Sequence, residues 1–429
     1  MINRFNIGIG LVALIFIASQ ARAEVLVDER KYREDVNSYK NNSRQWRTRN
    51  DHLVPGYEET QAILSLQQKR DNESNDIDGD GVVNKADPSM YDWREPGYQP
   101  FGVLEFLSWN HDWNNYKYPE EDLQKIVALL EEAGVSFVRM DFLWEDIEPE
   151  NDNFVFDKYD LIVKLLSEKN IRILGVMGYC VSWAGEKWNS VPDNTADFLD
   201  YVSNVVSRYK DRIKYWEVWN EPDSPKYFVV QDGMKTYTQL LKEVYTAAKK
   251  IDPSCKIVLG GMTSGGYYDI KDVYANGGKD YFDIINIHPF VDPLSPADVK
   301  SIYTIYNNLE RLKSQYGDVA KKIWFTEIGC PGMRGGVSKG WWMGRSPSES
   351  EQAQFIQTIY TDVIDLVNLE KVFWAYFRDN KDHFKDDVDY FGLVRWDFSK
   401  KPAFDIFKAK YLAWFNLHNY LYLRKRYAR

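Results

Sequence analysis

The 429-residue chain has little cysteine and no excess of positive charge. Its three cysteines, Cys180, Cys255 and Cys330, are too few for a disulfide framework in so long a chain, and we expect them to be packing residues. Acidic residues outnumber basic ones by 64 to 54, which gives a formal net charge of -10. Because nucleic-acid binding depends on Lys and Arg facing the phosphates, this balance argues against a nucleic-acid partner.

Long apolar runs are also missing, except near the start, where residues 7–18 follow Arg4. This run is shorter than the roughly 20 residues that span a bilayer. An Ala-Arg-Ala sequence at 21–23 is typical of a signal-peptidase site, so we expect residues 1–23 to be a signal peptide cleaved before Glu24. A membrane anchor is the alternative. The mature protein is then expected to be secreted or periplasmic, without a membrane span.

Residues 24–97 are rich in Arg, Asn, Asp, Glu and Gln and show little apolar periodicity, which predicts an extended or loosely folded leader. Within the leader, DIDGDGVVNKAD at 76–87 has the ligand spacing of an EF-hand-type calcium loop. The expected ligands of a structural Ca²⁺ are Asp76, Asp78, Asp80, the Val82 carbonyl, Asn84 and Asp87.

The last ligand position of this loop departs from the EF-hand pattern. Asp87 stands where an EF-hand has a longer, bidentate Glu, as in the calcium loops of dockerins and thrombospondin type 3 repeats, which the stretch resembles. Gly81, at the sixth position, permits the sharp turn. A solvated Asp/Gly-rich turn without a metal is the alternative.

The pattern changes at about residue 98, and up to about residue 420 short β-prone runs alternate with amphipathic helical stretches. Strands that alternate with helices form right-handed parallel units, and eight such units close into a TIM barrel. A doubly wound sheet is the alternative, but its usual glycine-rich phosphate turn is not evident after the first run. The predicted fold is therefore α/β, a (β/α)8 TIM barrel over 98–420 preceded by the polar leader. The eight runs are 101–109, 135–142, 171–178, 213–220, 256–261, 282–290, 322–329 and 371–377.

The helix after the seventh run has its own start signal. Ser346 is the predicted N-cap, and Pro347 occupies the first turn. Glu349, three residues after Ser346, is expected to close a capping box.

Two carboxylic acids stand at the ends of apolar runs. Glu221 ends the fourth run, in YWEVWNEP, and Glu327 ends the seventh, in WFTEIG. Since desolvating a carboxylate is costly, each needs a partner or a function. In TIM barrels the chemistry lies at the C-terminal ends of the strands, where opposed strands can aim two side chains across the mouth. Cleavage of a glycosidic bond uses such a pair, one carboxyl as proton donor and the other as nucleophile or stabilising anion.

WEVWNEP and WFTEIG, on the predicted fourth and seventh strands, together resemble the glycoside hydrolases of clan A, which are retaining enzymes, and most of all family 39. That family includes β-xylosidases, α-L-iduronidases and bacterial exopolysaccharide hydrolases. The resemblance covers roughly residues 100–416 and leaves the leader outside. It implies that Glu221 is the acid/base, that Glu327 is the nucleophile, and that catalysis needs no cofactor.

The resemblance also implies roles for four more residues. Asn220 matches the residue that binds the sugar 2-hydroxyl, and Arg139 matches the arginine that keeps the nucleophile ionised. His288 matches a position that orients the nucleophile or binds sugar, and Trp374 matches the floor of the subsite for the reacting sugar.

Each of these roles has a structural alternative. Arg139 could pair with Asp141 or Glu145, His288 could be a hydrogen-bonded polar residue at a strand end, and Trp374 could be core. Glu217 lies on the same strand face as Glu221 but deeper, and we expect it to be structural or a partner of an arginine.

The loop 332–345 carries two further aromatic candidates. Trp341 and Trp342 are flanked by glycines, so they could stack on sugar in the cleft or pack on the barrel rim.

The expected function is therefore that of an exported retaining glycosidase acting on an oligo- or polysaccharide, such as a bacterial exopolysaccharide or a plant glycan. One rival is a family 5-like endo-β-glucanase or mannanase, because Asn-Glu-Pro and a seventh-strand Glu occur across the clan. A second rival is a non-catalytic sugar-binding barrel, in which we would expect one carboxylate to be lost. Both carboxylates are present.

Overall fold

The computed structural model describes residues 99–109, 111, 118–333, 345–380 and 382–427, and the side chains of the last helix as far as Leu417. All of these residues belong to the unit Asp78–Arg429. The predicted signal peptide, the leader with its calcium loop at 76–87, and the Trp341–Trp342 pair lie outside the described residues.

Eight parallel strands close into a barrel in which each strand pairs with the next along the chain and the last pairs with the first. The predicted TIM barrel is confirmed. The strands are β1 Phe101–Leu104, β2 Phe137–Leu143, β3 Arg172–Gly178, β4 Tyr215–Asn220, β5 Lys256–Gly261, β6 Ile284–Asn286, β7 Lys322–Ile328 and β8 Leu369–Ala375.

Helices follow the strands and cover the outside of the barrel. Their apolar faces are buried, as in the helix from Thr195, which buries Phe198, Tyr201, Val202 and Val205 at helical spacing. Within the described residues, no helix combines the length and hydrophobicity of a membrane span. The described helices are α1 Glu120–Ala133, α2 Trp144–Ile147, α3 Asp157–Glu168, α4 Thr195–Tyr209, α5 Gly233–Ile251, α6 Tyr267–Ala275, α7 Pro296–Gln315, α8 Glu349–Thr358 and α9 Pro402–Tyr427.

The start of α8 differs from the prediction. Ser348, not Ser346, is the N-cap, and its side chain forms a capping box with Glu351. Ser346 instead donates a hydrogen bond to the buried Asp387 at 2.7 Å. Both serines have a glutamate three residues later, so the local rule fits either one, and the contact with Asp387 decides between them.

The barrel interior is layered. An apolar layer holds one side chain from each of β2 to β8, and its aromatic rings lie edge to face or tilted at 5.0–6.1 Å, as in Phe137–Phe373 and Tyr215–Trp324. Side chains alternate along a strand, so the next inward positions lie two residues closer to the C-terminal ends. Several of these positions are polar, and they form the base of the candidate site. The apolar layer is Phe137, Leu174, Tyr215, Val258, Ile284, Trp324 and Phe373.

Candidate active site

Four of the predicted site residues meet at the C-terminal ends of the strands. Arg139 lies on β2, Glu327 near the end of β7, and Glu221 and His288 just after β4 and β6. Arg139 Nη1 donates a hydrogen bond to Glu327 Oε1 at 2.7 Å. His288 Nδ1 lies 3.1 Å from Glu221 Oε1 and 3.8 Å from Glu327 Oε1. The structure thus brings the two carboxylates to one imidazole nitrogen.

This shared nitrogen limits the distance between the two carboxylates. Glu221 Oε1 and Glu327 Oε1 are no farther apart than about 7 Å, the sum of their distances to His288 Nδ1. Carboxyl groups of retaining glycosidases are about 5–5.5 Å apart, and those of inverting enzymes about 6.5–9.5 Å apart. The bound includes the retaining spacing and excludes most of the inverting range.

Arg139 is the centre of the polar layer. Its guanidinium binds Glu217 through two hydrogen bonds of 2.8 and 2.9 Å, and Nη2 also donates to Asn220 Oδ1 at 2.8 Å. The backbone N–H of Gly261 donates to Glu217 at 3.0 Å. Burial alone would lower the pKa of Arg139, but the charges of Glu217 and Glu327 outweigh burial and raise it. Glu217 is therefore the arginine partner that the strand alternation allowed.

The pKa of the Glu327 carboxyl is raised above its ordinary value. Burial is the main cause, and the charges of His288 and Arg139 oppose it without cancelling it. The expectation that Arg139 keeps Glu327 ionised considered this pair alone. In the structure Arg139 also neutralises Glu217, so its single charge is divided between two carboxylates.

Asn220 is held in one orientation. Because Arg139 donates to its Oδ1, the amide nitrogen Nδ2 is directed elsewhere and has no hydrogen-bond partner within the described ranges. The residue is 7% exposed and directly precedes Glu221. This nitrogen can therefore donate to a hydroxyl of a molecule that enters the site.

His288 is fully buried and contacts polar groups through both ring nitrogens. Nε2 lies 3.0 Å from Thr326 Oγ1, which in turn is hydrogen-bonded to the Asn286 amide. Burial lowers the pKa of His288, but the charge of Glu327 and the hydrogen bond to Glu221 together raise it by more. The net effect is a pKa above the ordinary value of histidine. A Cβ on Gly261 would lie 1.9 Å from Nε2, so only glycine leaves room for the ring.

Trp374 does not reach the site, which corrects the prediction that it forms a sugar floor. It follows Phe373, whose ring points into the barrel, so alternation turns Trp374 outward. Its side chain is fully buried, its Nε1 donates to the Phe391 carbonyl at 2.9 Å, and its ring packs against Phe355 on α8. The structural alternative, a core residue, is the one observed.

Tyr376 is an aromatic residue of the site that the sequence reasoning did not identify. Burial raises the pKa of its hydroxyl, and the charges of Glu327 and Glu221 raise it further, so it lies near both carboxylates. The ring packs against Phe106 at 4.7 Å and stacks with Phe384. The sequence did not indicate this position for Tyr376, because β8 ends at Ala375 and the alternation of side chains applies only within the strand.

Asp141 is a second residue whose place in the site was missed. It was considered only as a partner for Arg139, but its Oδ2 accepts a hydrogen bond from Trp109 Nε1 at 3.1 Å. Burial raises the pKa of Asp141 to about 6, although the Arg139 charge and the Trp109 hydrogen bond both oppose this rise. Its two-residue spacing from Arg139 on β2 placed it on the same inward face.

The chain is similar in sequence to known glycoside hydrolases. The family model for glycosyl hydrolase family 10 matches residues 127–264. A curated relative, endo-1,4-beta-xylanase B of Thermotoga neapolitana, is 22% identical over 251 residues, which is 54% of this chain and 67% of that protein. Another, the chloroplastic beta-glucosidase-like SFR2 of Oryza sativa subsp. japonica, is 27% identical over 128 residues. That match covers 26% of this chain and 20% of the rice protein.

Solved structures share the fold. A family 39 glycoside hydrolase from Bacteroides cellulosilyticus WH2 is 24% identical with a TM-score of 0.60, over 72% of this chain and 63% of that one. A monomeric beta-xylosidase from Caulobacter crescentus CB15 is 14% identical with a TM-score of 0.56, over 72% and 67% of the two chains. A GH5_18 enzyme from Streptomyces cattleya, in complex with Manb1-4GlcNAc, is 16% identical with a TM-score of 0.60, over 73% and 80%.

The family model matches about a third of this chain, and the solved glycoside hydrolases share its barrel fold. Two of these structures, from Bacteroides and Caulobacter, share the barrel fold with this chain over 72% of its length.

The raised pKa of Asp141 predicts how stability depends on pH. Between about pH 4 and pH 6 the unfolded chain loses this proton while the folded protein still holds it, so stability falls as pH rises through this window. Asp141→Asn should remove this contribution to the pH dependence of the free energy of unfolding, which is on the order of 2 kcal/mol. Trp109 can still donate a hydrogen bond to the amide oxygen of the variant.

Urea unfolding at pH 4, 5, 6 and 7 measures this effect. The exposed Glu186→Gln is the matched control and should follow the wild type at every pH. A difference between Asp141→Asn and the wild type that is constant across the four pH values would contradict the prediction.

Proposed function

We propose that this chain is an exported retaining glycoside hydrolase that cleaves O-glycosidic bonds of an oligo- or polysaccharide by double displacement. The observation that carries the proposal is the pair of carboxylates that both lie within 4 Å of His288 Nδ1, with Arg139 bound to Glu327. Glu221 is the proposed acid/base and Glu327 the proposed nucleophile.

The contacts of Glu327 favour it as the nucleophile. Arg139 occupies Oε1, so Oε2 is the oxygen available to attack the anomeric carbon. Glu327 must be ionised for this step, and Arg139 and His288 are the groups that favour its ionised form. When the glycosidic bond breaks, Glu221 gives its proton to the leaving oxygen, and a covalent bond joins the sugar to Glu327.

The second step reverses these proton movements. Glu221, now ionised, takes a proton from a water molecule, whose oxygen attacks the anomeric carbon. The bond between the sugar and Glu327 breaks, and the carboxylate returns to its contact with Arg139. Asn220 Nδ2 is the proposed donor to the sugar 2-hydroxyl, a hydrogen bond that strengthens in the transition state.

A family 5-like endo-β-glucanase or mannanase is the second candidate, because the GH5_18 structure shares the fold at the same TM-score as the family 39 structure. Product analysis on xylan, mannan, β-glucan and bacterial exopolysaccharides separates the two. A non-catalytic sugar-binding barrel is the third candidate, and it would bind one of these glycans without any reducing-end release.

Export is proposed from residues 1–23, in which an apolar run ends at the Ala-Arg-Ala sequence. N-terminal sequencing of protein recovered outside the cytoplasm should begin at Glu24. An intact Met1 in that fraction would contradict signal cleavage.

The assignment of Glu327 predicts the chemistry of its alanine variant. Glu327→Ala removes the nucleophile and should abolish turnover of every substrate. External azide should restore part of the activity by attacking the vacated face, and the glycosyl azide should have inverted configuration. Proton NMR of the azide product measures the configuration.

Glu221→Ala should change the activity in a different way. Activated aryl glycosides need little protonation in the first step, so they should be affected far less than substrates with poor leaving groups. Azide should then intercept the covalent intermediate on Glu327 and give the retained product. If Glu221→Ala gives the inverted azide, the two roles are exchanged.

We also propose, separately, that the loop at 76–87 binds calcium, because each of its five side-chain ligand positions has an oxygen-bearing residue and the Val82 carbonyl supplies the sixth ligand. Calorimetry of the whole chain should detect one Ca²⁺ site that disappears in Asp78→Ala and persists in Asp71→Ala, which lies in the leader outside the loop. Equal calcium binding by both variants would show that the loop is only an acidic turn.

A further inference from the structure

An exposed tryptophan lies at the same end of the barrel as the two carboxylates. Trp188, in the loop between β3 and α4, is 51% exposed. Its ring is held edge-on by Tyr179, at 5.2 Å between centroids, and by Tyr227, at 6.4 Å. Tyr179 in turn packs edge-on against the buried Trp219 of β4. The indole thus packs against two tyrosine rings while about half of the side chain remains in solvent.

Backbone contacts fix this loop. The N–H of Cys180 donates to the Trp188 carbonyl at 2.7 Å. The next residue, Asn189, donates through its side chain to the Lys226 carbonyl at 2.9 Å and accepts from the Val229 N–H at 2.8 Å. The loop after β3 is therefore joined to the loop after β4, and the exposure of Trp188 does not arise from a loose segment.

Tyr227 connects this aromatic group to Glu221. Two successive turns, with hydrogen bonds from Ser224 N–H to Glu221 and from Tyr227 N–H to Ser224, lead from the carboxylate to the tyrosine. Burial raises the pKa of Tyr227, and among the charges Glu221 has the larger effect and Glu327 the smaller. The turns therefore place Tyr227 in the loop that directly follows Glu221.

The hydroxyls of Tyr179 and Tyr227 are both available to a ligand. Neither makes a hydrogen bond to any residue that the structure describes. A phenol that is half-buried usually finds a partner, and a single exposed tryptophan is common on protein surfaces. The feature that needs an explanation is the combination of a half-exposed indole with two phenols that have no hydrogen-bond partner among the described residues.

We propose that Trp188, Tyr179 and Tyr227 form a binding subsite for the sugar on the leaving-group side of the scissile bond. The proposal rests on the proposed function, because a proton donor at Glu221 must face the leaving oxygen. A pyranose ring would place its C–H face on the exposed indole, and its hydroxyls would accept from or donate to the two phenols. The substrate is thus a glycan that continues beyond the cleaved bond, rather than a sugar with a small aglycone.

The first experiment compares two kinds of leaving group. β-1,4-linked xylo-, manno- and cello-oligosaccharides of two to six sugars are the probes with sugar leaving groups, and the matching aryl monoglycosides are the reference. In Trp188→Ala the ratio of kcat/KM on the oligosaccharide to kcat/KM on the aryl glycoside should fall about tenfold. Trp188→Phe should recover part of the ratio, and Lys187→Ala, from the exposed side of the same loop, should keep the wild-type ratio.

The second experiment measures binding without turnover. In Glu327→Gln, the same oligosaccharides should change the tryptophan fluorescence, and Kd should rise about tenfold when Trp188→Ala is added.

The outcomes separate the subsite from the proposed function. Turnover with an unchanged ratio in Trp188→Ala overturns the subsite and leaves the hydrolase standing. Binding that depends on Trp188 in a protein that hydrolyses nothing overturns the hydrolase and supports the subsite. Neither binding nor turnover of any probe overturns both.

Discussion

The candidate site depends on one buried cation, the guanidinium of Arg139, which is 2% exposed. It binds Glu217 through two hydrogen bonds, and it also binds Asn220 and Glu327. Without the charge of Arg139, the buried carboxylates would have no cation beside them, and a broken buried ion pair costs about 3–5 kcal/mol of folding stability. The same contacts orient the groups that we propose face a substrate, because they occupy one oxygen of Glu327 and the oxygen of Asn220. Stability and chemistry therefore rest on the same interaction.

Several features of this arrangement follow from local sequence. Apolar runs of strand length are a local property, so the eight strands could be predicted, and with them the barrel. Glu221 and Glu327 could be placed at its mouth because each ends such a run and because strand ends converge in a closed parallel barrel. Alternation along β4 also predicted that Glu217 lies deeper on the same face, where an arginine could reach it.

Other features depend on contacts that no local pattern encodes. Trp374 was expected at the sugar by resemblance, although its neighbour Phe373 takes the inward position. The net pKa direction of Glu327 is a sum over burial and several charges, so one partner could not decide it. Trp188 and Tyr227 lie 39 residues apart in two loops that are joined by hydrogen bonds of Asn189 and by the contact between the two rings. Loops have no periodic pattern of side chains, so the contact between Trp188 and Tyr227 could not be predicted from the sequence.

The central claim is that Glu327 forms a covalent bond with the sugar. It is tested most directly by incubating the wild-type enzyme with a 2,4-dinitrophenyl 2-deoxy-2-fluoroglycoside of the sugar that it hydrolyses, followed by mass spectrometry of the digested protein. Fluorine at C2 slows the hydrolysis of the intermediate, so the sugar should remain attached to the peptide that contains Glu327. Attachment to Glu221, or an unlabelled enzyme that releases an inverted product from its normal substrate, would contradict the account.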